Sequence, residues 1–131
     1  MLLDEYFQQI KTLLDRSPII KESALVYEAR SQDRGFIRGE LLLIDGSILS
    51  VREFVKTTSI VDREMYTYQY MKADNKLVFR NDNTGHHRKL NLPTFPHHKH
   101  DRSETTVIAS NAPVLAEILE EISQLYYCIN G

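Results

Sequence analysis

Most of the middle of the chain alternates apolar and polar residues with a period of two, and this pattern constrains the fold more than any other feature. Successive side chains of a β-strand point to opposite faces, so each alternating segment predicts a strand with one buried face. Such segments occupy residues 19–30, 36–44, 48–55, 63–71 and 77–82. Between the second and third segments lies Asp45-Gly46, the strongest hairpin signal in the chain, so we expect consecutive strands to pair antiparallel.

Both ends of the chain carry apolar residues at three- and four-residue steps, which predicts one amphipathic helix at each end. Helices that are segregated from an antiparallel sheet define an α+β domain. We therefore expect an antiparallel meander sheet of about five to six strands, with an N-terminal and a C-terminal helix packed on one face. Residues 105–109 are the candidate for the last strand, and residues 1–131 are expected to form a single domain.

The composition excludes several classes of protein. Hydrophobic residues make up 42% and charged residues 26% of the chain, as in ordinary globular proteins. No run of about 18 apolar residues is present, so the sequence predicts no transmembrane helix. Asp4 and Glu5 stand where a signal peptide carries basic residues, and the lone Cys128 has no partner for an internal disulfide. We therefore expect a cytoplasmic protein without a membrane partner.

Charge is distributed unevenly along the chain. The formal net charge is −2, but residues 1–79 carry −1, residues 80–102 carry +3 and residues 103–131 carry −4. All five histidines lie within the basic segment. A local site for phosphate is therefore compatible with a mildly acidic protein, and RNA is not excluded as a partner.

The stretch NDNTGHHRKLNLPTFPHHKH, residues 81–100, supports three interpretations. It can be a metal site, with His86, His98 and His100 as ligands, although no specific ligand spacing accompanies them. It can be a site of acid–base catalysis, because imidazoles titrate near neutrality and can exchange protons with a phosphodiester. It can also be a solvated polar loop, and we expect residues 81–96 to form a long loop. The residues alone do not decide among the three.

Other candidate residues lie on the predicted strands. Alternation places Arg80 and Asp82 on one face beside the histidine-rich stretch, either as part of a site or as a surface ion pair of little energetic value. Tyr68 and Tyr70 share a face and could stack on bases or belong to the core. Glu53 shares a face with apolar residues, either as a base or anchor or as a carboxylate that reaches water.

Several motifs resemble the TumE family and occur in the order that the family has: IRGELLLIDGSILSVREFV, YTYQYMKADNKLVFRNDN, the pair HH, FPHHKH and the closing helix. The resemblance runs from about Ile37 to Leu125 and covers most of the chain. The motif positions are Gly46, Ser47, Glu53, Tyr68, Tyr70, Arg80, Asp82, His86, His87, Phe95, Pro96, His98 and His100.

The resemblance implies the toxin component of a prokaryotic toxin–antitoxin pair. Its expected partner is a cognate antitoxin, typically a helix-turn-helix DNA-binding protein, and a homodimer is left open. Many small toxins of such pairs cut RNA, which favours an RNA substrate by analogy.

The leading hypothesis is metal-independent cleavage of RNA without a cofactor. His98 and His100 are the candidate base and acid, Arg80 and Lys99 would hold the phosphate, and Glu53 is a further candidate for catalysis. The candidates for substrate binding are Tyr68, Tyr70, Asp82, His86, His87 and Arg88. The alternative hypothesis is a non-catalytic interaction module whose histidine-rich loop binds a protein partner or a metal.

Overall fold

Two helices and seven strands make up the part of the chain that the structure describes. A computed structural model describes residues 1–83, 97–103, 107–110 and 112–130, with residues 98, 109 and 128–130 described by their backbone only. The helices are α1 (Leu3–Asp15) and α2 (Leu115–Asn130), and no helix in the described ranges is long and apolar enough to span a bilayer. The strands are β1 (Ile20–Ala29), β2 (Arg34–Leu43), β3 (Ile48–Lys56), β4 (Asp62–Met71), β5 (Leu77–Asp82), β6 (His98–Asp101) and β7 (Val107–Ala109).

The strands form one antiparallel sheet in which each strand pairs with its neighbours in sequence, from β1 at one edge to β7 at the other. This meander and the two terminal helices confirm the predicted α+β class. The described sheet has seven strands, so the predicted number of five to six was slightly too low.

Strand β6 is the one that the sequence pattern did not predict. Its residues, HKHD, show no apolar alternation, and we placed them in the histidine-rich stretch. The strand is defined by its pairing, because His98 lies opposite Asp82 and His100 lies opposite Arg80 on β5. Strand β5 itself continues through Asp82, so the predicted loop of residues 81–96 began too early, and residues 84–96 lie outside the described residues.

The Asp45-Gly46 hairpin is confirmed as the connection between β2 and β3. Gly46 has a φ of +85°, a left-handed conformation that glycine adopts without steric cost. The carboxylate of Asp45 accepts a hydrogen bond of 3.0 Å from the amide of Ser47, and the amide of Leu43 donates to the carbonyl of Ser47 at 2.9 Å. These bonds close the turn and set the register of the hairpin.

One face of the sheet is covered by both helices, as predicted. Helix α1 contributes Leu3, Phe7, Ile10 and Leu14 to the core, and helix α2 contributes Leu115, Ile118, Leu119 and Ile122. The sheet contributes Ile37, Leu41, Leu49, Val51, Val55, Tyr66, Tyr68, Tyr70 and Phe79 to the same cluster. Alternate residues point to the opposite side, which we call the outer face: Phe36, Arg38, Glu40, Leu42, Ile48, Ser50, Arg52, Phe54, Met65, Thr67, Gln69, Met71, Arg80, Asp82 and His100.

Gly39 provides a test of how closely β1 and β2 approach each other. It has a φ of +143°, and a Cβ atom there would lie 2.1 Å from the carbonyl oxygen of Ala24. We expect Gly39→Ala to lower the free energy of unfolding by about 2 kcal/mol or more, measured by urea denaturation. The control is Glu40→Ala at the exposed neighbouring position, which should cost less than about 0.5 kcal/mol. Equal losses for the two variants would contradict this account of Gly39.

Candidate functional site

The sheet divides the predicted site residues between its two faces. Arg80, Asp82 and His100 lie on the outer face, whereas Glu53, Tyr68 and Tyr70 lie on the helix-covered face. Lys99 also lies on the helix-covered face, because its ammonium is 3.1 Å from the Glu121 carboxylate of α2 and 4.8 Å from the ring centre of Phe79. The structure therefore does not bring Lys99 and Glu53 beside Arg80 and His100.

Arg80 is the centre of a polar cluster on the outer face. Its Nε donates to Asp82 Oδ2 at 3.2 Å, and its two terminal nitrogens lie 3.2 Å from Gln69 Oε1 and 3.0 Å from His100 Nε2. Gln69, Arg80 and His100 are cross-strand neighbours on β4, β5 and β6, so the strand register brings these side chains together. We call Gln69, Arg80, Asp82 and His100 the Arg80 cluster.

The contact with Arg80 favours one tautomer of a neutral His100 ring. A guanidinium has only donors, so Nε2 of His100 accepts this hydrogen bond and a neutral ring carries its proton on Nδ1. The Arg80 side chain is 22% exposed, whereas Asp82 and His100 are 3% and 2% exposed. The cluster thus combines a cation that solvent reaches with a basic nitrogen and a carboxylate beneath it, and the pair of Arg80 and Asp82 is not the exposed surface pair that we considered.

A second polar cluster surrounds Glu53 under the helices. Glu53 is fully buried, and the hydroxyl of Tyr6 on α1 donates to its Oε1. The hydroxyl of Tyr68 donates to its Oε2 at 2.7 Å. Arg63 in turn donates to the Tyr68 hydroxyl at 3.1 Å. Glu53 is therefore an anchor for α1 and β4, and it does not reach water as the alternative interpretation required.

Arg63 connects this buried network to the residues just before α2 and to Tyr66. Its terminal nitrogens donate to the carbonyls of Ala112 at 2.7 Å and Pro113 at 2.8 Å, just before α2 begins. Its guanidinium also lies 4.3 Å from the ring centre of Tyr66, whose hydroxyl is 2.8 Å from Nδ1 of His97. Sequence reasoning missed Tyr6 and Arg63, which no motif marks, and it gave His97 no role although this residue lies within the FPHHKH motif.

The tyrosines around Glu53 hold their protons strongly. Burial, together with the negative charge of Glu53, raises the pKa of Tyr6 and of Tyr68 well above the ordinary value. Burial also raises the pKa of Tyr66 to about 12. These hydroxyls therefore stay protonated across the physiological range and serve as permanent donors.

Tyr68 and Tyr70, the candidates for base stacking, have no exposed ring. Both are buried, and the hydroxyl of Tyr70 donates to Ser47 Oγ at 3.0 Å. The stacking role stays a prediction, and in this conformation neither ring is open to a ligand.

The remaining candidates lie outside the described side chains. His86, His87 and Arg88 belong to residues 84–96, and His98 is described by its backbone only. In the part of the chain that the structure describes, no three His, Cys, Asp or Glu side chains group as a metal site would require. The predicted set of His86, His98 and His100 therefore stays a prediction.

A meander sheet with two helices on one face and the Arg80 cluster on the other defines a small α+β protein with a candidate phosphate site. A family model described as toxin TumE matches residues 10–126, nearly the whole chain, and the chain belongs to this family. The match confirms the resemblance found from the motifs and supports a toxin role. No curated protein and no solved structure matches the chain.

The buried tyrosines predict how stability depends on alkaline pH. Above about pH 10 the tyrosines of the unfolded chain lose their protons, whereas Tyr6, Tyr66 and Tyr68 keep theirs in the folded state. The folded state then binds more protons, so the free energy of unfolding falls as pH rises from about 10 towards the pKa of Tyr66.

In the folded protein at about pH 11, tyrosinate absorbance should show at most four of the seven tyrosines ionised. Ionisation of six or seven would contradict the buried network.

The hydrogen bonds of Tyr68 can be tested against those of a matched tyrosine. Tyr68→Phe removes a donor to Glu53 and an acceptor for Arg63, so we expect it to lower the free energy of unfolding by about 2–3 kcal/mol. The control is Tyr27→Phe, because the Tyr27 hydroxyl has no hydrogen bond to the described residues, and its cost should stay within about 0.5 kcal/mol. Urea denaturation at neutral pH measures both, and a smaller loss for Tyr68→Phe than for the control would refute the assignment.

Proposed function

We propose that this toxin cleaves RNA at the outer face of the sheet without a metal ion. The observation that carries the proposal is the contact of 3.0 Å between the partly exposed guanidinium of Arg80 and Nε2 of His100. An arginine is a good ligand for a phosphate, and a neutral imidazole nitrogen is a good acceptor for a hydroxyl proton. The two groups that phosphodiester cleavage requires are therefore in direct contact.

The proposed reaction begins when the RNA phosphate binds Arg80 and draws the guanidinium away from His100. Nε2 of His100 then accepts the proton of the ribose 2′-hydroxyl, whose oxygen attacks the phosphorus. The bond from phosphorus to the 5′-oxygen breaks, and this oxygen takes a proton from the protonated ring of a second histidine, for which His98 is the candidate. The products are a 2′,3′-cyclic phosphate and a 5′-hydroxyl, and Arg80 stabilises the charge that develops on the phosphate.

The other predicted residues take supporting roles in this proposal. Asp82 orients Arg80 through their hydrogen bond, and Lys99 holds β6 to α2 through Glu121. Glu53 anchors α1 to the sheet rather than acting on the substrate. His86, His87 and Arg88 stay candidates for contacts with the substrate.

A toxin of this family implies an antitoxin as its partner. We propose that this antitoxin is a helix-turn-helix DNA-binding protein and that it blocks the outer face in the cytoplasm. A homodimer would be a second kind of assembly, which the molecular mass in solution distinguishes from the complex with the antitoxin.

Cleavage of RNA in the presence of EDTA tests the proposal. Tag-free wild-type protein should produce fragments that end in cyclic phosphate. His100→Gln should slow cleavage at least about 100-fold, because a general base of this kind contributes that much. The control is His97→Gln, because His97 contacts Tyr66 on the other face and glutamine can keep that hydrogen bond. Intact RNA with the wild type, or equal rates for both variants, would refute the proposal.

A non-catalytic interaction module is the second candidate, and the burial of Asp82 and His100 favours it. Groups that are closed to solvent often serve structure, and the Arg80 cluster joins β4, β5 and β6. In that case RNA stays intact with every variant, while substitutions on the outer face or in the histidine-rich stretch weaken binding of the antitoxin. Elemental analysis of tag-free protein separates a metal-bound form of this module from one without metal.

A further inference from the structure

Two phenylalanines lie side by side on the outer face, away from the core. Phe36 of β2 is directly opposite Phe54 of β3, and their ring centres are 4.8 Å apart. Both are partly exposed, whereas Glu53 and Val55, which flank Phe54, are fully buried under the helices. The two ring planes are inclined at 41° to each other, and this partly exposed aromatic pair offers an apolar surface for contact with a planar ligand.

The neighbouring row of the outer face is basic. Arg38 is directly opposite Arg52, and like charges in this position destabilise a sheet. Both side chains are exposed, and neither has an ion pair or a hydrogen bond within the part of the chain that the structure describes. Arg30 adds a third guanidinium, 5.2 Å from the ring centre of Phe36. These guanidinium groups favour the binding of an anionic ligand from outside the part of the chain that the structure describes.

The basic row leads towards the Arg80 cluster. Arg52 lies opposite Thr67, which in turn lies opposite Asp82. From ordinary strand geometry, Phe54 is about 13 Å along the strands and about 14 Å across them from His100. An extended single-stranded RNA of several nucleotides would span the distance between Phe54 and His100.

We propose that Phe36, Phe54, Arg38 and Arg52, which we call the aromatic platform, bind single-stranded RNA next to the bond that is cleaved. Bases stack on the two phenylalanines while the two arginines contact the phosphates between them. The proposal rests on the proposed function and specifies which part of the substrate the outer face holds. It also requires unpaired bases, because the bases of a duplex are already stacked on one another.

Charge and shape together favour RNA over a protein partner at this surface. A repeating phosphate chain matches arginines that lie opposite each other, and the partly exposed aromatic rings can stack on bases. Two acidic residues are close to this surface: Glu28 is opposite Phe36 and pairs with Arg30 at 3.7 Å, and Glu40 follows Arg38 on the same face of β2. Neither carboxylate forms an ion pair with Arg38 or Arg52 in the part of the chain that the structure describes. An acidic protein segment is the competing occupant, and the experiment includes it as an outcome.

Fluorescence anisotropy with labelled poly(U) tests the platform in the His100→Gln protein, in which the probe stays intact. Arg38→Gln/Arg52→Gln should weaken binding at least about tenfold and reduce the slope of log affinity against log salt by about 1.4, as expected for two lost phosphate contacts. Phe36→Leu/Phe54→Leu should weaken binding at least about tenfold with an unchanged salt slope, because stacking carries no charge.

Matched controls separate these effects from net charge and from aromatic content. Lys72→Gln/Lys76→Gln removes the same charge at the exposed turn between β4 and β5, and Tyr127→Leu removes an exposed ring on α2. Both control variants should bind poly(U) like the parent protein. Circular dichroism and urea denaturation confirm that all variants are folded, and duplex RNA should bind more weakly than poly(U).

The outcomes distinguish the platform from the function on which it rests. If wild type cleaves RNA and the platform variants bind poly(U) as tightly as the controls, the platform is refuted and the proposed function stands. If wild type neither cleaves nor binds RNA, both proposals are refuted. If the platform variants lose the antitoxin while poly(U) affinity is unchanged, the surface is a protein interface and the RNA assignment is overturned.

Discussion

The burial of the Glu53 carboxyl group is the constraint on which the rest of the structure depends. A polar group in the core costs free energy unless its hydrogen bonds are satisfied, and a carboxylate requires donors at both oxygens. Tyr6 of α1 and Tyr68 of β4 supply these donors, and Arg63 binds Tyr68 from the far side. Because Tyr6 lies on α1 and Tyr68 and Arg63 lie on β4, satisfying one carboxyl group of β3 fixes the position of the helix and the register of β4 together.

The outer face follows from the same register. A slip of one residue would move every side chain of a strand to the opposite face, so Tyr68 cannot point inward unless Thr67 and Gln69 point outward. Gln69 then accepts a hydrogen bond from Arg80 on the next strand, and Arg80 meets His100 on the strand after it. The hydrogen bonds under the helices therefore determine which polar groups meet on the other side of the sheet.

The local sequence pattern was enough to predict some of these features but not others. Alternation predicted the inward position of Glu53, and Asp45-Gly46 predicted the first central hairpin, because both signals act over a few residues. The inward position of Arg63 could not be predicted from alternation. Phe54 of β3 lies opposite Met65, but Val55 lies opposite Arg63, so Glu64 is skipped in the pairing. The residues of β4 before Glu64 therefore face the side opposite to the one that alternation predicts. The position of Lys99 on the helix-covered face could not be predicted for a related reason. Strand β6 is defined by its pairing with β5, and the alternation of four polar residues does not indicate which of them point inward.

Within β2, β3 and β4 the placement of aromatic residues reverses the usual preference, and Glu53 explains part of the reversal. Tyrosines ordinarily keep a wet hydroxyl and phenylalanines are ordinarily buried. Here the three tyrosines of β4 are buried, two of them within reach of Glu53 or Arg63, because an apolar ring could not donate to the carboxyl group. No corresponding requirement of the core accounts for Phe36 and Phe54 on the outer face, where tyrosines would cost less. The contact between the two rings and the guanidinium of Arg30 beside Phe36 stabilise this placement within the fold. The proposed contact with a stacked, negatively charged ligand would in addition give a use to rings that lie beside two exposed arginines.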